Sequence, residues 1–170
     1  MPLTRFPDHD DKRVFLSTVL SLSLPPPDSA HSDRLSVAVF WLDRASPSAR
    51  EISLDFAIDL IEHGALGVVC GGDDAEAAGA LFRKAVEEGE FATSEEEAIT
   101  VLALPEATLD EVLWAASEEV MPPDAFADRP WDIMVWSRSS EPKLPQIRQA
   151  LARLSLIVDE IYDRGGEDDQ

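Results

Sequence analysis

Blocks of strand-like and helix-like hydrophobic periodicity succeed one another along this chain. Leu20, Leu22 and Leu24 alternate with Ser21 and Ser23, so the apolar run 14–24 reads as a first strand. The prolines at 25–27 end it, because proline cannot donate to a sheet ladder. Residues 35–42 are apolar at nearly every position, as expected of a central strand buried on both faces. Pro47 and the Ser48 to Glu51 capping box then signal a helix start. Ile52, Phe56 and Leu60 recur every fourth residue, with Ile58 and Ile61 widening the stripe. Gly64 is placed to end that helix in the left-handed conformation.

The unit then recurs. A short apolar strand over 65–70 is followed by a Gly71-Gly72 turn, an Asp73 cap and a helix carrying Ala78, Leu81, Phe82, Ala85 and Val86. Residues 98–104 form the next strand, stopped by Pro105. Thr108 and Glu111 make a further capping box, leading Leu109, Val112, Leu113, Ala116 and Val120 along one face. Pro122 and Pro123 break that helix, and 131–136 is the last strand. A final helix over 142–162 carries Leu144, Ile147, Leu151, Leu154, Val158 and Ile161 in a 3-4-3-4-3 spacing.

The order β-β-α-β-α-β-α-β-α predicts an α/β fold: a three-layer sandwich around a mostly parallel five-stranded sheet, flavodoxin-like or Rossmann-like. The first strand fits either an antiparallel edge or a parallel neighbour reached through the loop 25–34. We expect one α/β domain over 13–164, preceded by a flexible acidic N-terminus (1–12) and followed by an acidic tail (165–170).

Charge narrows the function classes. The 170 residues include 14 Lys and Arg against 34 Asp and Glu, a formal charge of −20 spread along the chain. Direct nucleic-acid binding is not expected, since it needs clustered cations to displace counterions. A basic protein partner is the natural complement. Cys70 is the only cysteine, which excludes an intrachain disulfide and a zinc ribbon, and three scattered histidines suggest no metal site and no cofactor. No apolar run reaches the length of a membrane span. Lys12 and Arg13 precede an apolar run, but Asp8, Asp10 and Asp11 and the lack of a small-residue cleavage site argue against a signal peptide. A cytoplasmic protein is the expectation.

In such a sheet, ligands sit outside the carboxyl ends of the strands. Asp43, Cys70, Gly71, Gly72, Asp73, Asp74 and Arg138 fall there and form the candidate pocket. Gly71-Gly72 before a helix suggests a phosphate cradle, which the two following carboxylates oppose. Neither a dinucleotide fingerprint nor a P-loop is present. Asp43 with Asp73 or Asp74 could hold Mg²⁺, but capping explains these aspartates as well. Cys70 would need a base nearby to act as a nucleophile, and His63 belongs to the opposite edge of the sheet. No complete catalytic constellation emerges, so an enzyme is not favoured.

The candidate interaction surface is the acidic stretch Glu87, Glu88, Glu90, Glu95, Glu96 and Glu97. Leu156 and Ile157 fall outside the stripe of the last helix, and with Arg148 and Arg153 they suggest a homodimer through 142–162.

Residues 37–42, 67–74 and 108–115 resemble a family of small bacterial α/β proteins classed as a domain of unknown function. The resemblance covers about residues 35–150 and implies the fold without supplying catalytic residues. The expected function is a non-enzymatic acidic binding or accessory protein, immunity-like or regulatory, that engages a protein partner. The alternatives are a small-molecule enzyme or sensor using the strand carboxyl ends, and a nucleic-acid mimic.

Overall fold

The structure, a computed structural model, describes residues 3–17, 35–43, 52–89, 98–126, 128–137 and 143–168. Its strands are β1 (Leu3–His9), β2 (Lys12–Ser17), β3 (Leu35–Trp41), β4 (Ala65–Gly71), β5 (Thr100–Leu104) and β6 (Trp131–Ser137). The helices are α1 (Leu54–Glu62), α2 (Ala75–Glu88), α3 (Leu109–Trp114), α4 (Lys143–Ala152) and α5 (Leu154–Asp168). A π-helical turn, Ala115–Glu119, continues α3.

The strands pair in the order β1-β2-β6-β3-β4-β5. All neighbours are parallel except β1 and β2, which form an antiparallel hairpin. The α/β expectation therefore holds, with six strands rather than five. The first parallel strand is Lys12–Ser17, a neighbour of β6, and the antiparallel edge is the additional strand β1. Residues 3–9 thus lie in the sheet, where the sequence reading placed a flexible end. The acidic character of 1–12 concealed this strand, because its charges sit at the turn and on exposed positions while Phe6 packs against the core. Residues 18–24, which supplied the alternating leucines, lie outside the described residues.

Period-two alternation divides the sheet into two buried faces. Val37, Val39 and Trp41 of β3, with Ile133 and Val135 of β6, meet α3, the π turn, α4 and α5. Ala38 and Phe40, with Val68, Cys70, Met134 and Trp136, meet α1 and α2. Phe40 anchors the second face, stacked on Trp136 at 5.2 Å and packed against Phe82 at 4.9 Å between ring centroids. Three layers result, as the block pattern implied.

The helix boundaries follow local chemistry. The hydroxyl of Ser53 accepts from the Phe56 amide at the start of α1, and the Ser48 box lies outside the described residues. Gly64, at φ 98°, ends α1 in the conformation that L side chains resist. Thr108 and Glu111 form the expected reciprocal box. The long last helix is two helices, because the chain turns at Arg153, whose amide donates to the Ala150 carbonyl. No helix among the described residues is long and apolar enough to cross a membrane.

Candidate functional site

The chain leaves β3 for β4 on one side and later returns to β6 on the other. The carboxyl ends of β3 and β6 therefore frame the topological switch point, where open α/β sheets place ligands. Asp43 and Ser137 are buried there. Both carboxylate oxygens of Asp43 are engaged. Trp41 Nε1–H donates to Oδ2 at 3.1 Å, and Lys143 Nζ donates to Oδ1 at 3.1 Å. The ammonium and the indole N–H compensate the desolvation of this carboxylate. The pair ties the end of β3 to the start of α4.

Sequence reading missed Lys143 and Trp41 as partners of Asp43. One signal was available: Lys143 opens a helix, where the dipole disfavours a cation unless a carboxylate holds it.

The glycine turn has a packing role. Gly72 sits at φ 88°, and a Cβ on it would lie 2.6 Å from the carbonyl oxygen of Leu42. The amide of Asp74 donates to that same carbonyl at 3.3 Å, and the amide of Ala75 donates to Gly72. Backbone donors that a phosphate would need are therefore spent on Leu42 and Gly72. Asp73 is exposed, and the residue before α2 is Asp74, not Asp73; its side chain makes no capping bond. The expected cap thus moves one residue along, because the turn closes on Gly72.

Cys70 points into the face covered by α1 and α2 and is fully buried. Burial pushes its thiol up from 9.0 to about 12, with Arg83 acting weakly the other way. A neutral thiol in the core is a poor nucleophile. His63 is bound to the Asp59 carbonyl at the end of α1, through Nδ1 at 2.7 Å. Asp43 and Cys70 are thus both buried, while Asp73 is exposed. Arg138 lies outside those residues.

On the proposed interaction surface, Glu87 and Glu88 are exposed at the end of α2, and Glu90, Glu95, Glu96 and Glu97 lie outside the described residues. Leu156 is exposed, but Ile157 is buried beside Leu154 and Val158. The break at Arg153 turns Ile157 toward the sheet, so it belongs to the core.

No protein-family model and no curated protein matches the chain. Its own geometry is that of an α/β protein in which Trp41 and Lys143 engage the buried Asp43 at the switch point, with an acidic surface.

Proposed function

We propose that this protein is a non-enzymatic accessory protein that docks a basic protein partner on the α1–α2 face. One observation carries this reading. The two helices pack side by side and bear Asp55, Asp59, Glu62, Glu76, Glu87 and Glu88 against only Arg83 and Lys84. Lys84 is already paired with Glu88 at 3.6 Å, and Arg83 donates to the Val101 carbonyl. On the opposite layer, by contrast, Arg153 and Arg164 both bridge to Glu160. The α1–α2 face is thus acidic, and both of its cations are already engaged.

Neither helix has a basic residue in its last turn. Glu62 and Glu87 sit near helix C-termini, where a carboxylate is disfavoured by about 0.3–1 kcal/mol. Side chains kept at a cost to the fold are accounted for by a role in binding. The reading is tested with a bait carrying Glu62→Lys and Glu87→Lys beside the wild type. Capture from the native cell should depend on the wild-type charges and fade between about 0.1 M and about 1 M salt, as the Debye length shrinks from about 10 Å to about 3 Å. Equal capture by both baits would refute it.

A further inference from the structure

A second cluster lies at the opposite end of the sheet, around the hairpin turn between β1 and β2. His9 is nine-tenths buried there, although it belongs to an edge strand. Its Nε2 faces Glu118 Oε1 at 3.0 Å and Asp10 Oδ2 at 3.6 Å. Its Nδ1 faces the Ser155 hydroxyl at 3.0 Å. One donor atom from each of His9, Asp10 and Glu118 falls within 4.8 Å of the others. We propose that His9, Asp10 and Glu118 form a binding site for a divalent first-row transition ion, with Ser155 orienting the imidazole.

Three separate departures from regular backbone create the cluster. The β1–β2 register shifts between Phe6 and His9, at Pro7 and Asp8. Regular alternation would continue from Thr4 and Phe6 to Asp8; after the shift Asp8 is exposed and His9 faces inward. Asp10 adopts φ 52°, the left-handed region that aspartate tolerates better than most residues. Glu118 sits in the π-helical turn, whose extra residue per turn moves it around the axis relative to a continued α3. Each is a local cost, and all three converge on the same donor atoms.

The two separations from the imidazole nitrogen suit an ion, and the third pair of donor atoms lies within 4.8 Å. Nitrogen and oxygen ligands at about 2.0–2.2 Å from a tetrahedral centre lie about 3.3–3.5 Å apart, which the 3.0 and 3.6 Å separations bracket. The imidazole favours a transition ion over Mg²⁺ or Ca²⁺, which take oxygen ligands. Without an ion, the tautomer with its proton on Nε2 donates to Glu118, and its Nδ1 accepts from Ser155. With an ion on Nε2 the proton moves to Nδ1, which then donates to the same hydroxyl. A hydroxyl serves both states, and such a partner is the usual support of a ligating histidine. Lys12, the register partner of His9, donates to the Ser117 carbonyl at 3.0 Å and lies over the Trp131 ring at 4.6 Å. Its charge is held beside the cluster by other groups. Asp10 is mostly exposed, so solvent reaches the ion and a water completes the four-coordinate set.

Zn²⁺ titrated into the whole chain, at about 0.15 M salt with excess Mg²⁺ covering the diffuse acidic surface, tests the site. Calorimetry should show one Zn²⁺ per chain, weakened about tenfold or more by Glu118→Gln and by Asp10→Asn. Both variants replace the more exposed ligands, so folding is preserved even if His9→Asn unfolds the hairpin. At a hundredfold excess over the wild-type Kd, Zn²⁺ should raise Tm by about 5–10 °C. The ¹⁵N spectrum should show the His9 proton moving from Nε2 to Nδ1. A folded wild type that takes up no Zn²⁺ under these conditions overturns the proposal. So does Zn²⁺ uptake that both variants leave unchanged.

Discussion

Trp41 and Gly71 are register partners on adjacent parallel strands, and the indole ring occupies the space a side chain at position 71 would need. A Cβ there would lie 2.9 Å from Cε3 and Cζ3 of Trp41 and 2.6 Å from Cγ2 of Val112. The same indole donates to Asp43, so the position of the ring sets the geometry of the switch point. Gly71→Ala should therefore cost about 1–3 kcal/mol in urea unfolding, the usual penalty for overpacking a core. Gly72→Ala adds left-handed strain to its clash with Leu42 and should cost more, at least about 2 kcal/mol. If the Gly-Gly turn were open for a ligand instead, Gly71→Ala would be nearly neutral for stability.

What the sequence made legible follows from what is local. The capping box at Thr108, the continuous apolar run of β3 and the glycine end of α1 depend on neighbours a few residues away, and each was readable. Lys143 on Asp43, and Glu118 on His9, are long-range contacts that no periodicity encodes. The bulge at Pro7 and Asp8 hid His9 for a further reason: it reverses the inside–outside phase from which burial is inferred.

The pairing of Asp43 with Lys143 should be energetically coupled. Lys143→Met leaves a buried carboxylate with one donor fewer, and Asp43→Asn keeps an acceptor for Trp41 while removing the charge. A double-mutant cycle should give a coupling of about 1–3 kcal/mol, well above the ~0.2–1 kcal/mol of an exposed pair. A coupling near zero would mean that the ammonium contributes nothing to holding α4 on the sheet.

Leu156 and Ile157 are adjacent in sequence and opposite in consequence. Ile157→Asp places a carboxylate among Leu154, Val158 and their neighbours and should destabilise by about 3 kcal/mol or more. Leu156→Asp, on the surface, should stay within about 0.5 kcal/mol of wild type. It is therefore Leu156→Asp that examines self-association through α5. Sedimentation that shows dimers of wild type and monomers of this variant would establish the interface. Monomers of both would discard it.

Charge reversal on the acidic face should separate folding from binding. Glu62→Lys and Glu87→Lys each put a cation near a helix C-terminus, where it is favoured by about 0.3–1 kcal/mol at low salt. The double variant should unfold at higher urea than wild type while binding the partner less well. A loss of both stability and binding would instead make these carboxylates part of the fold.

Cys70 is held protonated by burial, its thiol raised from 9.0 to about 12. Below pH 9 the thiol is protonated in both folded and unfolded chains and contributes nothing to pH dependence. Above pH 9 the unfolded chain releases this proton and the folded one retains it, until the pH approaches 12. Stability should therefore fall as pH rises through that window, by at most about 1.4 kcal/mol per pH unit from this group. Other groups titrate in the same range, so the measurement is the difference between wild type and Cys70→Ala. From pH 8 to pH 10.5, the unfolding free energy of the wild type should fall by about 2 kcal/mol more than that of the variant. A native thiol that low pH leaves unreactive and pH 10 leaves unreactive still, toward an alkylating reagent, would agree. Equal pH slopes for the two proteins would show that Cys70 ionises in the folded state, and would return it to consideration as a nucleophile.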